Sequence, residues 1–289
     1  MKKIAVASGK GGVGKSSIAA SLAVLLAEER DIVVADCDVD ASNLSIILGG
    51  EETERKQGVS TNEKAIFHED RCISCGKCKD ICTFSAIDWD EENDMPVINK
   101  YLCEGCGACK LVCPENAFTL EEVENATIGE GKTEYGFDLV SGQLAMGESG
   151  SGKVVEVIKR QAEDKGGELM LLDVAAGIGC PVISALKDVD YVIAVTEPST
   201  AALSDLKRLM NVVNQFEINC GLIVNKYDLN KEACDNVLKF AKDNGIEVLG
   251  KIKHDKKFVE ALTQLKPIVE VDKDYRKVFE GILRRIDVL

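Results

Sequence analysis

No stretch of the 289-residue sequence approaches the ~20 consecutive apolar residues that a membrane-spanning helix requires. The chain starts with MKKIAVASGK, in which only four apolar residues separate the two lysines from polar and glycine residues. This stretch is too short for the apolar region of a signal peptide. These two absences argue against a membrane span and a secretory leader, and we predict a cytoplasmic protein.

An excess of positive charge is also absent. Lys and Arg number 35 against 49 Asp and Glu, which gives a net charge of −14. Proteins that grip nucleic acid broadly need clustered Lys and Arg to displace phosphate counterions. We therefore expect no nucleic acid partner. What remains is an ordinary globular composition, 45% hydrophobic and 29% charged, with enough chain for one large domain or two ordinary ones.

A glycine-rich stretch, SGKGGVGKSS, lies between a short apolar strand and an apolar helix. It matches G-x-x-x-x-G-K-[ST], the phosphate-binding loop, in the strand–loop–helix context that this chemistry requires. Backbone N–H groups and the helix N-terminus attract phosphate, the lysine reaches the β and γ phosphates, and the serine hydroxyl can bind Mg²⁺. The predicted nucleotide and Mg²⁺ ligands are Gly9, Gly11, Gly12, Val13, Gly14, Lys15, Ser16 and Ser17.

A second glycine-rich stretch, GESGSGKV at residues 147–154, has the same glycine and lysine spacing. Val154 replaces the hydroxyl that magnesium needs, and no apolar strand leads into the stretch. We therefore interpret it as a loop at the start of a helix rather than as a nucleotide site.

Apolar segments that end in polar residues alternate with helical segments along the rest of the chain. DIVVADCDVD (31–40) ends in acids, ELMLLDVAAGIG (168–179) contains Asp173, and the strands DYVIAVTEPS (190–199) and CGLIVNKYD (220–228) each precede a helix. This alternation predicts an α/β P-loop NTPase with a mostly parallel sheet, helices on both faces and ligands at the carboxyl ends of the strands. Asp173 is the candidate Walker B acid, which contacts Mg²⁺ through water.

The cysteines are distributed unevenly, because eight of the twelve fall between Cys72 and Cys113. Disulfide scaffolds are typical of small secreted domains, whereas dense, regularly spaced cysteines in a cytosolic chain favour metal. Two runs with the spacing C-x2-C-x2-C-x3-C lie 31 residues apart, and FHEDRCISCGKCKDICTFSAI aligns with INKYLCEGCGACKLVCPENAF without a gap. This repeat is typical of the internal duplication of a bacterial-type two-cluster ferredoxin.

In that ferredoxin fold, the fourth cysteine of each run binds the cluster of the other run. One predicted [4Fe–4S] cluster is therefore held by Cys72, Cys75, Cys78 and Cys113. The second is held by Cys103, Cys106, Cys109 and Cys82. Zinc is the main alternative, since C-x2-C pairs also form tetrahedral zinc sites, but such sites rarely have a gapless tandem repeat of this kind.

The cysteine repeat interrupts the nucleotide-binding sequence, because it lies between Asp38 and Asp173. We predict a discontinuous nucleotide-binding domain, residues 1–59 and 122–289, and an inserted α+β ferredoxin domain, residues 60–121. With both of its ends attached to the nucleotide-binding body, the insertion would make the position of the clusters depend on nucleotide state.

The stretch KGGVGKS, which contains Lys10, resembles the deviant phosphate loop of the MinD, ParA, Mrp and nitrogenase iron protein superfamily. The resemblance implies that two subunits enclose two ATP molecules and that Lys10 reaches the phosphates bound by the partner subunit. It also implies that Asp38 positions or activates the attacking water, although Asp36 and Asp40 flank it, and that Gly177 approaches the γ phosphate. The catalytic residues it implies are Lys10, Lys15, Asp38 and Asp173.

The stretch NKYD at residues 225–228 supports two interpretations. It matches the NKxD pattern by which many GTPases recognise guanine. In the MinD-like family, by resemblance, a residue at the position of Asn225 instead contacts the adenine amino group. We expect ATP, because the family resemblance spans several motifs and this one spans four residues.

Two other features have alternative explanations. Cys180 resembles the cysteine with which the nitrogenase iron protein holds a bridging cluster, but a single such ligand per chain is too few, and we expect a buried thiol. Buried packing is also expected of Cys37, Cys220 and Cys234.

The C-terminal apolar residues have helical spacing. MinD contacts membranes with such a helix, but we favour packing on the sheet and expect no membrane partner. They are Val278, Phe279, Ile282, Ile286 and Leu289.

The phosphate loop and the cysteine repeat together resemble MinD-superfamily ATPases that contain an inserted ferredoxin domain. This resemblance implies a homodimer, or a heterodimer with a paralogous ATPase, that uses ATP, Mg²⁺ and two [4Fe–4S] clusters. We predict that the nucleotide gates electron transfer from the clusters to a partner protein. The alternative is a maturation factor that carries clusters or metal to client proteins. Complete cysteine ligation favours electron transfer, whereas Cys180 favours the carrier.

Overall fold

The structure is a computed structural model that describes residues 1–49 and 55–286, and short apolar segments form most of its strands. In chain order, the strands are β1 (Lys2–Ser8), β2 (Ile32–Cys37), β3 (Arg55–Val59), β4 (Asn62–Phe67), β5 (Ile87–Asp90), β6 (Met95–Ile98), β7 (Phe118–Val123), β8 (Ala126–Lys132), β9 (Asp138–Leu144), β10 (Leu169–Ala176), β11 (Tyr191–Thr196), β12 (Asn219–Asn225) and β13 (Glu247–Ile252).

The helices lie between these strands. They are α1 (Lys15–Ala27), α2 (Leu44–Ile47), α3 (Lys77–Ile81), α4 (Ala108–Val112), α5 (Ser151–Lys165), α6 (Cys180–Leu186), α7 (Thr200–Gln215), α8 (Lys231–Asp243), α9 (Lys257–Thr263), α10 (Ile268–Val271) and α11 (Lys273–Leu283), together with a short 3-10 helix, Glu69–Arg71. Within residues 1–49 and 55–286, no helix has both the length and the apolar character needed to cross a bilayer.

Nine strands form one sheet in the order β13-β12-β11-β1-β10-β2-β9-β8-β3. Every neighbouring pair from β13 to β9 is parallel. The central strands β11, β1, β10 and β2 are buried along almost their whole length, as expected for parallel strands with helices on both faces. The prediction of an α/β fold with a large, mostly parallel sheet is confirmed.

The chain divides into two compact units. The large unit comprises Met1–Gln57, Ile128–Gln143 and Ser151–Leu289, and the small unit comprises Gly58–Thr127 and Leu144–Gly150. The small unit thus includes the cysteine repeat and, in addition, a segment that lies well after it in the sequence.

Helix α11 packs within the large unit by its apolar face. Phe279, Ile282 and Ile286 are buried in the same hydrophobic cluster as α1 and the central strands, whereas Val278 is partly exposed. These contacts agree with the expectation that the C-terminal helix packs on the sheet. Leu289, the last residue of the predicted apolar stripe, lies outside the described residues.

The small unit is built from two similar halves. Strand β4 pairs antiparallel with β7, and β5 pairs antiparallel with β6. Phe67 lies opposite Phe118 with their ring centroids 5.3 Å apart, and Ile87 lies opposite Ile98. Each pair joins positions of one half to positions of the other, so the 31-residue sequence repeat is also a repeat of structure.

Candidate functional site

The phosphate loop joins β1 to α1 and packs too closely for side chains at two of its glycines. A Cβ atom on Gly9 would lie 2.3 Å from the backbone oxygen of Asp205 in α7. Gly14, immediately before α1, has a φ of +89°, and a Cβ there would lie 2.5 Å from Nδ2 of Asn225. Glycine is therefore required both for space and for backbone conformation.

Lys15 is buried at the start of α1 and is surrounded by carboxylates. Its Nζ makes a short ion pair with Asp173 in β10 and lies 3.8 Å from Oδ2 of Asp38. It also lies 3.4 Å from the hydroxyl of Ser16. Burial alone would lower the pKa of Lys15, but Asp173 and the other nearby carboxylates outweigh burial and raise it. The lysine is therefore charged at neutral pH.

The structure distinguishes the three acids at the end of β2 and just beyond it. Asp36 is buried, and its Oδ2 accepts hydrogen bonds from the backbone N–H groups of Asn43 and Leu44, each at 3.1 Å. Burial, with a contribution from the charge of Asp173, raises the pKa of Asp36 to about 7. Asp36 thus organises the turn into α2. Asp38 is the acid that faces Lys15, whereas Asp40 is exposed.

Gly177, predicted to approach the γ phosphate, lies just after β10. Its φ is +101°, and its N–H donates to the backbone oxygen of Ser8 at 2.9 Å. This bond holds the segment that leads into α6 against the end of β1, next to the phosphate loop.

Lys10 pairs with an acid that the motif analysis did not single out. Its Nζ lies 2.9 Å from Oε1 of Glu197, just beyond β11, and Nζ of Lys226 lies 3.1 Å from Oε2 of the same carboxylate. Lys226 also donates to the backbone oxygen of Gly12 at 2.9 Å. Burial disfavours the charged form of Glu197, but the two lysines prevail and lower its pKa. The sequence could have pointed to Glu197, because it follows a predicted parallel strand and ligands bind at the carboxyl ends of such strands.

Asn225 joins the end of β12 to the phosphate loop. Its Nδ2 donates to the backbone oxygen of Val13 at 2.7 Å, and its Oδ1 accepts from the N–H of Lys226 at 2.9 Å. Asp228, the acid that would recognise guanine in the NKxD interpretation, accepts from the backbone N–H of His254 at 2.7 Å. One of its carboxylate oxygens is therefore already used to hold the loop after β13.

Two cavities in the small unit are lined by cysteines from both runs. One, which we call the Cys72 cavity, is lined by the quartet Cys72, Cys75, Cys78 and Cys113. The other, the Cys103 cavity, is lined by the quartet Cys103, Cys106, Cys109 and Cys82. Each quartet combines three cysteines of one run with the fourth of the other.

Backbone amides point at the cysteine sulfurs in the same way in both halves. The N–H of Ala86 lies 3.3 Å from Sγ of Cys82, and the N–H of Ala117 lies 3.2 Å from Sγ of Cys113. Amide hydrogen bonds of this kind stabilise negative charge on sulfur and tune the potential of iron–sulfur centres.

Within the described part of the chain, no three His, Cys, Asp or Glu side chains are grouped to hold one metal ion. Burial raises the pKa of the Cys78 and Cys109 thiols.

The remaining cysteines differ from expectation in two cases. Cys37 and Cys234 are buried, as predicted, but Cys220 is only partly buried. The expectation of a buried thiol at Cys180 is wrong, because this residue is exposed at the first position of α6. That position directly follows the glycines that carry the chain out of the sheet, and its thiol is accessible.

Comparison with known proteins places this architecture among nucleotide-binding proteins. Residues 4–268 match the model of the CobQ/CobB/MinD/ParA nucleotide-binding domain. The uncharacterized protein MJ0578 of Methanocaldococcus jannaschii is 43% identical over 229 residues, 79% of either chain. An iron-sulfur cluster carrier protein of that organism is 25% identical over 98% of this chain and 83% of its own. The septum site-determining protein MinD of Pyrococcus horikoshii, solved with Mg-ADP, superposes with a TM-score of 0.60 at 18% identity, covering 99% and 96% of the two chains.

Proposed function

The chain belongs to the CobQ/CobB/MinD/ParA nucleotide-binding family, and from this premise we propose that it is an ATP-hydrolysing iron–sulfur protein. In this proposal, the nucleotide state gates electron transfer from two [4Fe–4S] clusters to a partner protein. The observation that carries the proposal is the pair of cavities, each lined by four cysteines drawn from both halves of the repeat.

ATP and Mg²⁺ suit the loop at the end of the large sheet, and the relative solved with Mg-ADP supports both. The pairing of Lys15 with Asp173 keeps a cation beside the loop until a phosphate anion competes for it. We assign Lys15 to the β and γ phosphates, Ser16 and Asp173 to Mg²⁺, and Asp38 to orientation of the attacking water. Asp38 is suited to this role because it is partly exposed and faces Lys15.

The two cysteine quartets would hold the clusters, which when bound accept and donate single electrons. The residues of this chain supply the thiolate ligands and the amide donors at Ala86 and Ala117. Cys75 and Cys106 are exposed, one in each quartet, so both centres lie within reach of a docked acceptor. Residues 60–121, which form most of the small unit, are in this proposal the inserted ferredoxin domain.

Assembly is the second part of the proposal. We assign the active form to a homodimer, or to a heterodimer with a paralogous ATPase, in which Lys10 contacts the ATP of the partner subunit. Lys10 has the freedom to do so, because its side chain is 40% exposed and, among the described residues, Glu197 is its one ion-pair partner. When Lys10 reaches the ATP of the partner subunit, Glu197 would keep its ion pair with Lys226.

A cluster carrier is the second candidate function. Two observations favour it: the exposed thiol of Cys180 and the relative named as an iron-sulfur cluster carrier protein. Electron transfer remains the better supported choice, because a cluster that is to be given away is usually held by incomplete or bridging ligands. Here each cavity is lined by four cysteines of one chain.

The test begins with reconstitution of the clusters and measurement of iron and acid-labile sulfide per chain. About eight irons are expected for two [4Fe–4S] clusters. The reduced protein is then mixed with ATP or ADP and a protein acceptor, and its absorption and EPR spectra are followed. Oxidation of clusters that stay in place, faster with one nucleotide, supports gated electron transfer. Loss of iron from this chain with gain by an apo-protein acceptor establishes the carrier instead.

A further inference from the structure

Lys159 on α5 is a buried lysine whose ammonium group serves the end of another helix. Its Nζ donates to the backbone oxygens of Ser184 and Ala185 at 3.0 and 3.1 Å, and also to that of Lys187. These carbonyls lie at the carboxyl end of α6. The last carbonyl groups of a helix have no N–H partner within the helix, and the helix dipole favours a cation there. Lys159 therefore fastens the carboxyl end of α6 to α5.

The first residue of α6 also lies close to α5. A Cβ atom on Gly152 would lie 2.9 Å from Oγ of Ser184 and 3.3 Å from the backbone oxygen of Cys180. The two helices approach so closely at this point that there is little room for a side chain. The family resemblance assigns Gly177 to the γ phosphate. Because α6 begins three residues after Gly177, any shift of that residue acts on α6, which packs against α5.

At its start, α5 continues directly from the segment 144–150, which belongs to the small unit. Within that unit the segment is bound to β4. Oε1 of Glu148 lies 2.7 Å from Nζ of the buried Lys64, and the hydroxyl of Ser149 accepts from Nδ2 of Asn62 at 2.8 Å. A Cβ atom on Gly147 would lie 2.9 Å from the ring of Tyr101, two residues before Cys103.

Strand β4 in turn contacts one of the two cysteine cavities. The N–H of Ala65 lies 3.5 Å from Sγ of Cys103. A Cβ atom on Gly105, which also lines the Cys103 cavity, would lie 2.0 Å from the backbone oxygen of Glu63. Movement of β4 therefore changes the amide environment of a sulfur in the Cys103 cavity.

From these contacts we infer that Lys159 is a positioning residue through which the nucleotide acts on the Cys103 cavity, by way of α5, segment 144–150 and β4. The inference rests on the proposed function and adds two statements to it. The two iron–sulfur centres differ in their response to nucleotide, with the Cys103 centre responding. The response depends on a lysine that touches neither the nucleotide nor a cysteine.

The test compares the full-length, reconstituted protein with Lys159→Met, which keeps the length of the side chain and removes its donors. Lys165→Met on the same helix is the matched control, because Lys165 pairs at the surface with Glu130. Amide hydrogen exchange is measured with ADP and with ATPγS. We expect the nucleotide-dependent difference in segment 144–150 and β4 to fall by about twofold to thirtyfold in Lys159→Met. It should persist in Lys165→Met.

EPR of the reduced protein supplies a second measurement. The signal of one cluster, not of both, should differ between ADP and ATPγS in the wild type, and this difference should be lost in Lys159→Met. An equal response of both clusters overturns the assignment to the Cys103 cavity. An unchanged exchange difference in Lys159→Met overturns the role of the lysine.

If Lys159→Met does not fold, Glu148→Gln tests the same route at its other end. In Glu148→Gln, the nucleotide-dependent difference in hydrogen exchange should persist in α5 and fall in β4. If it persists in both elements, the proposed route through segment 144–150 is wrong. Failure of the proposed function is a separate result, in which neither wild-type cluster responds to nucleotide while hydrogen exchange still reports on the route.

Discussion

The two units of this chain differ in what stabilises them. The large unit buries a continuous apolar cluster from central strands and helices, including fully buried Ile4, Leu22 and Leu171. The buried cluster of the small unit is Ala65, Cys78, Ile87, Cys109, Ala117 and Phe118, so two of its members are candidate iron ligands. Small units with so little core usually need a disulfide or a metal to fold. The large unit is therefore stabilised by its core, and we propose that the small unit is stabilised by the clusters that its cysteines would hold.

Removal of iron is the strongest way to separate the two units. Because metal binding to such sites is also folding free energy, we expect a chelator and reductant to unfold the small unit and to leave the large unit folded. Limited proteolysis with mass spectrometry should then show cleavage within residues 58–127 and continued protection of β1, β10 and β11. Nucleotide binding by the iron-free protein is the control for the large unit. Protection of residues 58–127 without iron would contradict the comparison.

Substitution of Lys15 should damage the large unit's chemistry and spare the small unit. Lys15→Ala removes the cation assigned to the transferred phosphate, and loss of one such electrostatic contact lowers kcat by about a hundredfold to a thousandfold. Iron content should equal that of the wild type, because Lys15 lies among carboxylates at the end of the large sheet. ATP turnover and iron per chain are measured on the same preparation. A parallel loss of iron would show that the two units do not form independently.

The sequence predicted both units for different reasons. The large unit was predictable because strand periodicity, the glycine spacing around Lys15 and the order of the acids are local signals that agree with one another. The grouping of the cysteine quartets was predictable because the gapless repeat indicates a two-cluster ferredoxin, in which the fourth cysteine of each run belongs to the other cluster. Iron binding by these quartets stays a prediction. Neither signal required knowledge of distant contacts.

What the sequence did not predict depends on residues far apart in the chain. The pairing of Lys10 with Glu197 joins positions 187 residues apart. No sequence motif includes Lys159, and only the packing of α6 makes it a buried capping group. Segment 144–150 follows the predicted insertion by more than twenty residues, yet it belongs to the small unit. The exposure of Cys180 likewise follows from where α6 begins, which periodicity does not define to one residue.

The two lysines of the phosphate loop supply the finest test of the comparison, because one is fixed and the other is free to move. The side chain of Lys15 is 7% exposed and that of Lys10 is 40% exposed. If Glu197 competes with the partner's ATP for Lys10, Glu197→Gln should strengthen ATP-dependent dimerisation by up to about fivefold, the range for a partly exposed ion pair. Sedimentation equilibrium with ATPγS measures this constant. Glu156→Gln, an exposed acid on α5, removes the same charge and controls for reduced self-repulsion. If both variants have the same dimerisation constant, the ion pair between Glu197 and Lys10 does not compete with dimerisation.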